Sequence, residues 1–172
     1  MMSEQALTEV RSDALRRLTS GLYVLTTCAE DTLHGATVAW VTQVSIEPLL
    51  VLVALRRNSH LAHAVRKAHR FALNILAEDQ EALAERFFKH TTAPANSANL
   101  QGFAYRPAIS HCPLLTDAMA WLECRLAAEP ESPGDHALFL GEVTGTGVRR
   151  QGQPMVLWDT TWSYGGRRDD RS

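Results

Sequence analysis

The pattern of apolar and polar positions changes period several times along the chain, which predicts strands with a few helices inserted between them. Apolar residues that recur three and four positions apart predict helices. Three segments have this spacing: residues 4–19, 59–70 and 78–90. Gly21 follows the first segment as a stop signal, and Ser59 is placed to cap the second.

Segments rich in strand-forming residues account for most of the remaining chain. Residues 49–55 form an almost continuous apolar run after Pro48, as is typical of a strand buried on both faces. The other predicted strands are residues 22–29, 35–44, 71–76, 118–127, 137–148 and 155–164. Residues 91–108 are predicted as a long loop, and loops of that length are usually functional or mobile.

The order of these elements indicates the fold class. Strands and helices do not alternate regularly, which argues against a doubly wound parallel sheet. A mainly β fold, an antiparallel barrel with inserted α-helices, fits the order better. The sequence has no internal repeat, low-complexity tract or linker, so we expect one domain over residues 1–172.

Composition and charge exclude some classes of partner. The chain has 17 Lys and Arg against 19 Asp and Glu, a net charge of -2, which gives no general attraction to nucleic acid or anionic lipid. No signal-peptide pattern is present, and the longest apolar run falls far short of the ~20 residues that span a bilayer. The three cysteines, an odd number without metal-ligand spacing, suggest reduced thiols in a cytoplasmic protein.

The turn Arg56-Arg57-Asn58-Ser59 is a candidate anion site. It follows a buried strand and opens a helix, so backbone N–H groups and the positive end of a helix dipole meet there. Two guanidiniums and a hydroxyl add donors that suit a phosphate. On this feature alone, an ordinary capped helix beside solvated arginines is an equally good interpretation.

Two further segments could contact a flat heteroaromatic ligand. Residues 35–45 mix small and hydroxylated side chains that let a ring approach the backbone, although by pattern alone an edge strand of a barrel is favoured. The aromatic ending, residues 158–166, either covers a ligand or closes the core. His136 lies in a Gly-Asp-His turn and could titrate near neutrality, but a lone histidine is more often structural.

Other chemistries have less support in the sequence. His60 and His63 stand three apart on a predicted helix, but no HExxH motif or carboxylate partner accompanies them. There is no GxSxG motif, and no cysteine has a histidine partner nearby in the sequence. Gly145-Thr146-Gly147 lacks the third glycine of a dinucleotide fingerprint.

In their order and spacing, the segments resemble the flavin reductase-like, FMN-binding split-barrel family over roughly residues 15–165. The stretches that carry the resemblance are GLYVLTT at 21–27, GATVAWVTQVSIEP at 35–48, LLVLVA at 49–54, RFALNIL at 70–76, PLLTDAMAWLECRL at 113–126, GDHALFLGEV at 134–143 and SYGG at 163–166. Each motif is modest alone, and their order makes the match fairly specific.

The resemblance implies a flavin whose ring edge lies along residues 37–45 and whose phosphate reaches residues 56–59. The cofactor-binding residues it implies are Thr37, Val38, Ala39, Trp40, Val41, Thr42, Gln43, Ser45, Arg56, Arg57, Asn58, Ser59, Lys89 and Tyr164. It places His136 near the reactive side of the ring, as the candidate catalytic residue, and implies no metal. Leu61-Ala62 departs from the Thr-His pair of many members, which leaves more of the phosphate binding to Arg56, Arg57 and Ser59.

The resemblance leads to alternative functions. Family members either reduce free flavin with NADH or NADPH, or keep FMN bound and pass electrons to a partner or a ferric substrate. The first hypothesis is an NAD(P)H-dependent oxidoreductase that uses FMN, or FAD, and delivers electrons to flavin, iron or a partner oxygenase. The second is a non-enzymatic FMN carrier between redox proteins, and the third is a barrel that binds another planar ligand instead of flavin.

A homodimer is also expected. We expect six aromatic residues to exceed what one small core can hold, and large exposed apolar patches usually mark interfaces. They are Trp40, Phe103, Tyr105, Trp158, Trp162 and Tyr164. The resemblance implies the same, since such barrels commonly pair about a two-fold axis with flavins at the seam.

Overall fold

The computed structural model describes residues 14–15, 17–163 and 167–168, most of which form strands. The strands are β1 Tyr23–Ala29, β2 Thr32–Val38, β3 Val41–Ser45, β4 Leu50–Arg56, β5 Arg70–Ile75, β6 Thr91–Pro94, β7 Asn99–Leu100, β8 Phe103–Pro107, β9 Pro113–Leu115, β10 Ala120–Ala128, β11 His136–Val148, β12 Trp162–Ser163 and β13 Arg167–Arg168. The helices are α1 His60–Ala68, α2 Glu81–Arg86 and a short 3-10 helix Leu157–Asp159. The mainly β prediction is confirmed.

The main sheet curls around because of how β2 connects to β3. Its eight strands are all antiparallel, in the order β3-β4-β11-β10-β5-β1-β2-β6. β3 and β2 stand first and seventh in that order, yet only Ala39 and Trp40 connect them. That connection spans at most about 10 Å, or roughly two strand spacings, so the sheet has to curl into a barrel.

The barrel interior and helix α1 share one hydrophobic cluster. Phe71 and Phe139 are fully buried in it, together with Val53 and Leu73. Helix α1 adds Leu61, Ala62 and Val65 to the same cluster. The helix begins where the Ser59 side chain accepts a hydrogen bond from the Ala62 N–H at 3.2 Å, and it ends at His69 in the left-handed region. The predicted cap is therefore present.

A buried asparagine fastens the small sheet β7–β8–β9 to the barrel. Asn74 on β5 is fully buried, and its Nδ2 donates to the Val24 carbonyl at 3.1 Å and to Thr26 Oγ1 at 3.2 Å. Its Oδ1 accepts the Leu115 N–H of β9 at 2.7 Å. Thr26 Oγ1 in turn donates to the Pro113 carbonyl at 2.6 Å. One amide group therefore connects β1, β5 and β9.

The structure corrects two predicted elements near the start of the barrel. The single strand predicted over 35–44 is two strands, because the chain changes partner between them. Val38 pairs with Tyr23 of β1, whereas the Trp40 carbonyl accepts from Ala54 N of β4 at 3.0 Å. The helix predicted over 4–19 lies almost wholly outside the described residues, of which residues 14 and 15 are helical.

Two more predictions are wrong in the second half of the chain. The loop predicted over 91–108 contains β6, β7 and β8, because β2 offers a free edge to β6 and the segment then folds back as a hairpin. Of the strand predicted over 155–164, the described residues 155–163 contain the 3-10 helix and a two-residue strand. Among the described residues, no helix has the length and apolar character needed to cross a membrane.

Candidate functional site

Four segments that are distant in sequence meet at one end of the barrel. Strand register places His136, the first residue of β11, opposite Arg56, the last residue of β4. The ring of Trp40, in the β2–β3 connection, lies 4.6 Å from the His136 ring. The Phe87 carbonyl, after α2, accepts the Thr37 N–H at 2.8 Å. The structure therefore brings the predicted ring segment, the phosphate turn and His136 together.

In the turn at residues 56–59, the two arginines have different environments. Arg56 is exposed, whereas Nη2 of Arg57 donates to the Ser132 and Gly134 carbonyls at 2.5 and 3.0 Å, and more weakly to that of His136 at 3.4 Å. Ser59 Oγ accepts the Ala62 N–H, and a hydroxyl in that position still has its own proton to donate. Arg57 therefore holds the turn before β11, and its role as a phosphate ligand stays a prediction.

His136 is held in a defined orientation. Only 8% of its surface is exposed, with the indole of Trp40 against its ring. Its Nδ1 lies 2.7 Å from Oδ1 of Asp135, and this hydrogen bond lowers the pKa of the Asp135 carboxyl. An ionised carboxylate at Nδ1 favours the tautomer that carries its proton there. The pair therefore fixes the ring orientation and favours one tautomer of the neutral imidazole.

The predicted ring-edge segment divides into a structural part and an accessible part. Thr37 is hydrogen-bonded to helix α2 and to the residue after it. Its Oγ1 donates to the Ala84 carbonyl at 2.8 Å, and its N–H donates to the Phe87 carbonyl. Val38 packs against the barrel cluster, and Ala39 is buried. From Trp40 onward the chain lies at the sheet edge, where β3 pairs only with β4 among the described residues. Trp40, Thr42 and Gln43 are exposed there, whereas Val41 and Ser45 are half-buried and Val41 also packs against the barrel cluster.

Three histidines beside the phosphate turn form a group that no sequence motif indicated. Nδ1 of His34, on β2, lies 3.1 Å from Nε2 of His90, so the two rings meet edge to edge with their centroids 5.3 Å apart. The ring of His60, the first residue of α1, is nearly parallel to that of His90, with a centroid distance of 5.5 Å. The β2–β6 pairing brings the segment before β6 to His34, so spacing in the sequence could not reveal it. We call these three residues the histidine column.

The remaining site predictions have separate outcomes. Lys89 is exposed and directly precedes His90 of the histidine column. Tyr164 lies outside the described residues. His63 Nδ1 lies 2.8 Å from the Ser59 carbonyl, so His60 and His63 have different partners. Among the described residues, no group of three or more His, Cys, Asp or Glu is placed to hold a metal ion.

Two surface clefts lie away from this end of the barrel. One, of about 520 Å³, is lined by polar residues that include Asp79 and Arg149. The other, of about 480 Å³, lies beside Cys28 and Arg70. Neither cleft includes a residue that the sequence analysis assigned to the cofactor. All three cysteines are free, and burial raises the pKa of Cys124 to about 12.

Comparisons with known proteins point to one family. The family model described as flavin reductase like domain matches residues 15–165. The NADPH-flavin oxidoreductase of Streptomyces viridifaciens is 36% identical over 158 residues, which cover 89% of this chain and 78% of that protein. The reductase component of a 4-nitrophenol 4-monooxygenase/4-nitrocatechol 2-monooxygenase of Rhodococcus opacus is 36% identical over 132 residues, 74% of this chain and 68% of that protein.

A solved structure agrees with these relatives. It is the NADH:FAD oxidoreductase SgcE6 of Streptomyces globisporus, in complex with NAD and FAD fragments. That chain is 26% identical, with a TM-score of 0.74, and the match covers 97% of this chain and 93% of the other.

Proposed function

The chain belongs to the flavin reductase like domain family, and from that premise we propose that it is an NAD(P)H-dependent flavin reductase. One observation supports placing the flavin site at the end of the barrel described above. The exposed Arg56, the Ser59 hydroxyl and His136 converge there beside an accessible strand edge. We propose FMN as the flavin, with FAD as the alternative, and NADH or NADPH as the donor.

The residues present fit a flavin mononucleotide. A strand edge that no further strand covers suits the polar edge of a heteroaromatic ring, and among the described residues β3 supplies one along residues 41–45. Arg56, Ser59 and Lys89 form a donor set that suits a phosphate. When bound, the flavin accepts a hydride from the nicotinamide and passes the electrons to an acceptor.

The protein's own contribution is to position the reactants and to exclude water. The indole of Trp40 and the ring of His136 form one wall of the site, 4.6 Å apart. Asp135 fixes the His136 ring, and Arg57 holds the turn that carries both residues. We assign to His136 the placement of the nicotinamide. Hydride transfer depends steeply on such placement, since near-attack distances are about 3–3.5 Å.

Anaerobic mixing of the flavin-loaded protein with NADH, and separately with NADPH, tests this function. Fast bleaching of the flavin absorbance is expected with at least one of them. Indifference to both would contradict the reductase and favour the FMN carrier. An absorbance spectrum without flavin bands, together with no binding of added FMN, would instead favour a barrel for another planar ligand.

The phosphate turn gives the first prediction. Arg56→Ala combined with Ser59→Ala is expected to weaken FMN binding tenfold or more, with a smaller effect on riboflavin, which lacks the phosphate. Each charge-assisted hydrogen bond contributes about 1.5–3 kcal/mol, and tenfold corresponds to about 1.4 kcal/mol. Fluorescence titration gives both dissociation constants. Arg125→Ala, on the exposed part of β10, is the matched control. Equal losses for FMN and riboflavin would place the phosphate elsewhere.

We propose a homodimer, with the second chain completing each flavin site. The supporting patch differs from the aromatic set used in the sequence analysis. Trp162 is buried against Phe88, and Phe103 and Tyr105 pack on the core. Trp162, Phe103 and Tyr105 are therefore not available to form a dimer interface. Large exposed hydrophobic residues instead cluster around β3, beside the accessible edge. They are Trp40, Val44, Ile46 and Leu49.

The second prediction concerns this patch. Ile46 is 85% exposed, and an aspartate there would bring a charge into an apolar contact without disturbing the barrel interior. Light scattering is expected to give about twice 19.0 kDa for the parent and a lower mass for Ile46→Asp. Ile109→Asp, at another exposed apolar position, is the control. A parent mass near 19.0 kDa with and without FMN would rule out the dimer.

The proposal also includes an electron acceptor, a cellular location and a domain organisation. A relative named as the reductase component of a monooxygenase supports a partner oxygenase as one electron acceptor. Three free cysteines support a cytoplasmic location. We regard residues 1–172 as one domain, of which the family match covers 15–165.

A further inference from the structure

The histidine column lies directly beside the proposed phosphate site. His60 follows Ser59 in the chain, and His90 follows Lys89. His90 contacts both other rings, at interplanar angles of 28° to His34 and 23° to His60. Two of the three column members are therefore covalent neighbours of proposed phosphate ligands, although they come from different elements.

The hydrogen bond between His34 and His90 limits how much charge the column carries. The bond of 3.1 Å joins two ring nitrogens, so one has to donate a proton and the other has to accept with a lone pair. Both rings cannot be fully protonated while the bond exists. The pair therefore titrates as a unit, with room for about one extra proton.

The environment of the column favours its uncharged form. Burial lowers the pKa of His34 and of His90, and the neighbouring histidines lower both further. The carboxylate of Glu30, at the β1–β2 turn, acts in the opposite direction and raises the pKa of His34. Both Glu30 oxygens also accept from Lys67 Nζ at 2.8 Å, so much of that charge is already balanced. Lys89 adds a positive charge next to His90.

A proton on the column would thus need a counter-anion, which a bound phosphate can supply. We propose that the histidine column is a proton-dependent anion subsite, so that phosphorylated flavins, but not riboflavin, bind more tightly as the pH falls. This inference rests on the proposed flavin site. The two binding events are linked. The factor by which bound phosphate raises the proton affinity of the column equals the factor by which protonation raises the phosphate affinity.

The sign of proton exchange separates this mechanism from a simple cationic site. Free phosphate monoesters have a second pKa near 6, and fixed positive charges lower it. A site made of arginine and lysine alone would therefore release protons when FMN binds near pH 7. A column that becomes charged takes protons up instead. Riboflavin binding does neither.

Isothermal titration calorimetry of the parent protein in buffers of different ionisation enthalpy measures this exchange directly. Net proton uptake is expected for FMN at pH 7 and none for riboflavin. The ratio of FMN to riboflavin affinity is expected to rise about fivefold from pH 8 to pH 6.5, within the usual range of coupling between sites. Proton release on FMN binding, or an equal pH dependence of the affinities for the two flavins, would contradict the proposed subsite.

Variants give a second test. His34→Asn with His90→Asn is expected to abolish the proton uptake, and His60→Asn alone, at an exposed position, is expected to reduce it. His69→Asn is the control, because it lies at the far end of α1 in a left-handed conformation that asparagine tolerates. Unchanged uptake in the column variants would overturn the inference while the flavin site stands. Failure of the parent to bind FMN at any pH would remove the proposed function and the subsite together.

Discussion

Replacing His136 with alanine is expected to slow the reduction of bound flavin by nicotinamide about a hundredfold, the size of loss that follows misplacement of a reactant by about 1 Å. The imidazole is nearly buried against Trp40 and held by Asp135, so its removal deletes one wall of the site. Flavin affinity is expected to change much less, because the proposed phosphate and ring-edge contacts lie on other residues. Anaerobic stopped-flow measurements from pH 6 to 8, with flavin saturating, give the rate.

Two companion variants make this result interpretable. Asp135→Asn leaves the His136 ring in place but removes the carboxylate at Nδ1, so a smaller loss of rate is expected. His111→Ala, at an exposed position on another loop, should leave the rate unchanged. If His136→Ala matches the parent rate across the pH range, His136 has a structural role only.

Asn74→Ala is expected to lower the free energy of unfolding by about 3 kcal/mol, because it removes several hydrogen bonds of a fully buried amide and leaves the Leu115 N–H without its acceptor. For a chain of this size the loss corresponds to a fall of about 6–12 °C in Tm. Thermal denaturation followed by circular dichroism measures it.

The comparison for Asn74 is an asparagine in an exposed position. Asn96→Ala, in the connection between β6 and β7, is expected to shift Tm by no more than about 2 °C. If the two variants unfold at the same temperature, Asn74 does not fasten β9 to the barrel as its contacts indicate. A lower unfolding cooperativity in Asn74→Ala would mean that the β7–β9 sheet detaches first.

The sequence predicts best those parts of the fold and site that depend on neighbouring residues. The turn at 56–59 was recognisable because strand, turn and helix cap are consecutive, and Ser59 is indeed the cap. The contacts of Arg57 were not, because its carbonyl partners lie 75 to 79 residues further along the chain. The break at Ala39 and Trp40 was missed for a similar reason, since it depends on a change of strand partner.

The histidine column and the apolar patch illustrate the same limit. His34 and His90 are 56 residues apart, and only the pairing of β2 with β6 brings them together. Exposure also depends on tertiary packing, which is why Trp162 is a core residue and Phe103 packs against the core, whereas Ile46 lies on the surface.

The hydrogen bonds of Arg57 have a consequence for how this protein can evolve. Its backbone belongs to the proposed phosphate turn, while its guanidinium sets the shape of the turn that presents His136. Because the acceptors are main-chain carbonyls, side-chain substitutions at residues 132–136 leave these hydrogen bonds possible, whereas an insertion or deletion there would displace them. We therefore expect the length of this turn to be constrained more strongly than its side chains.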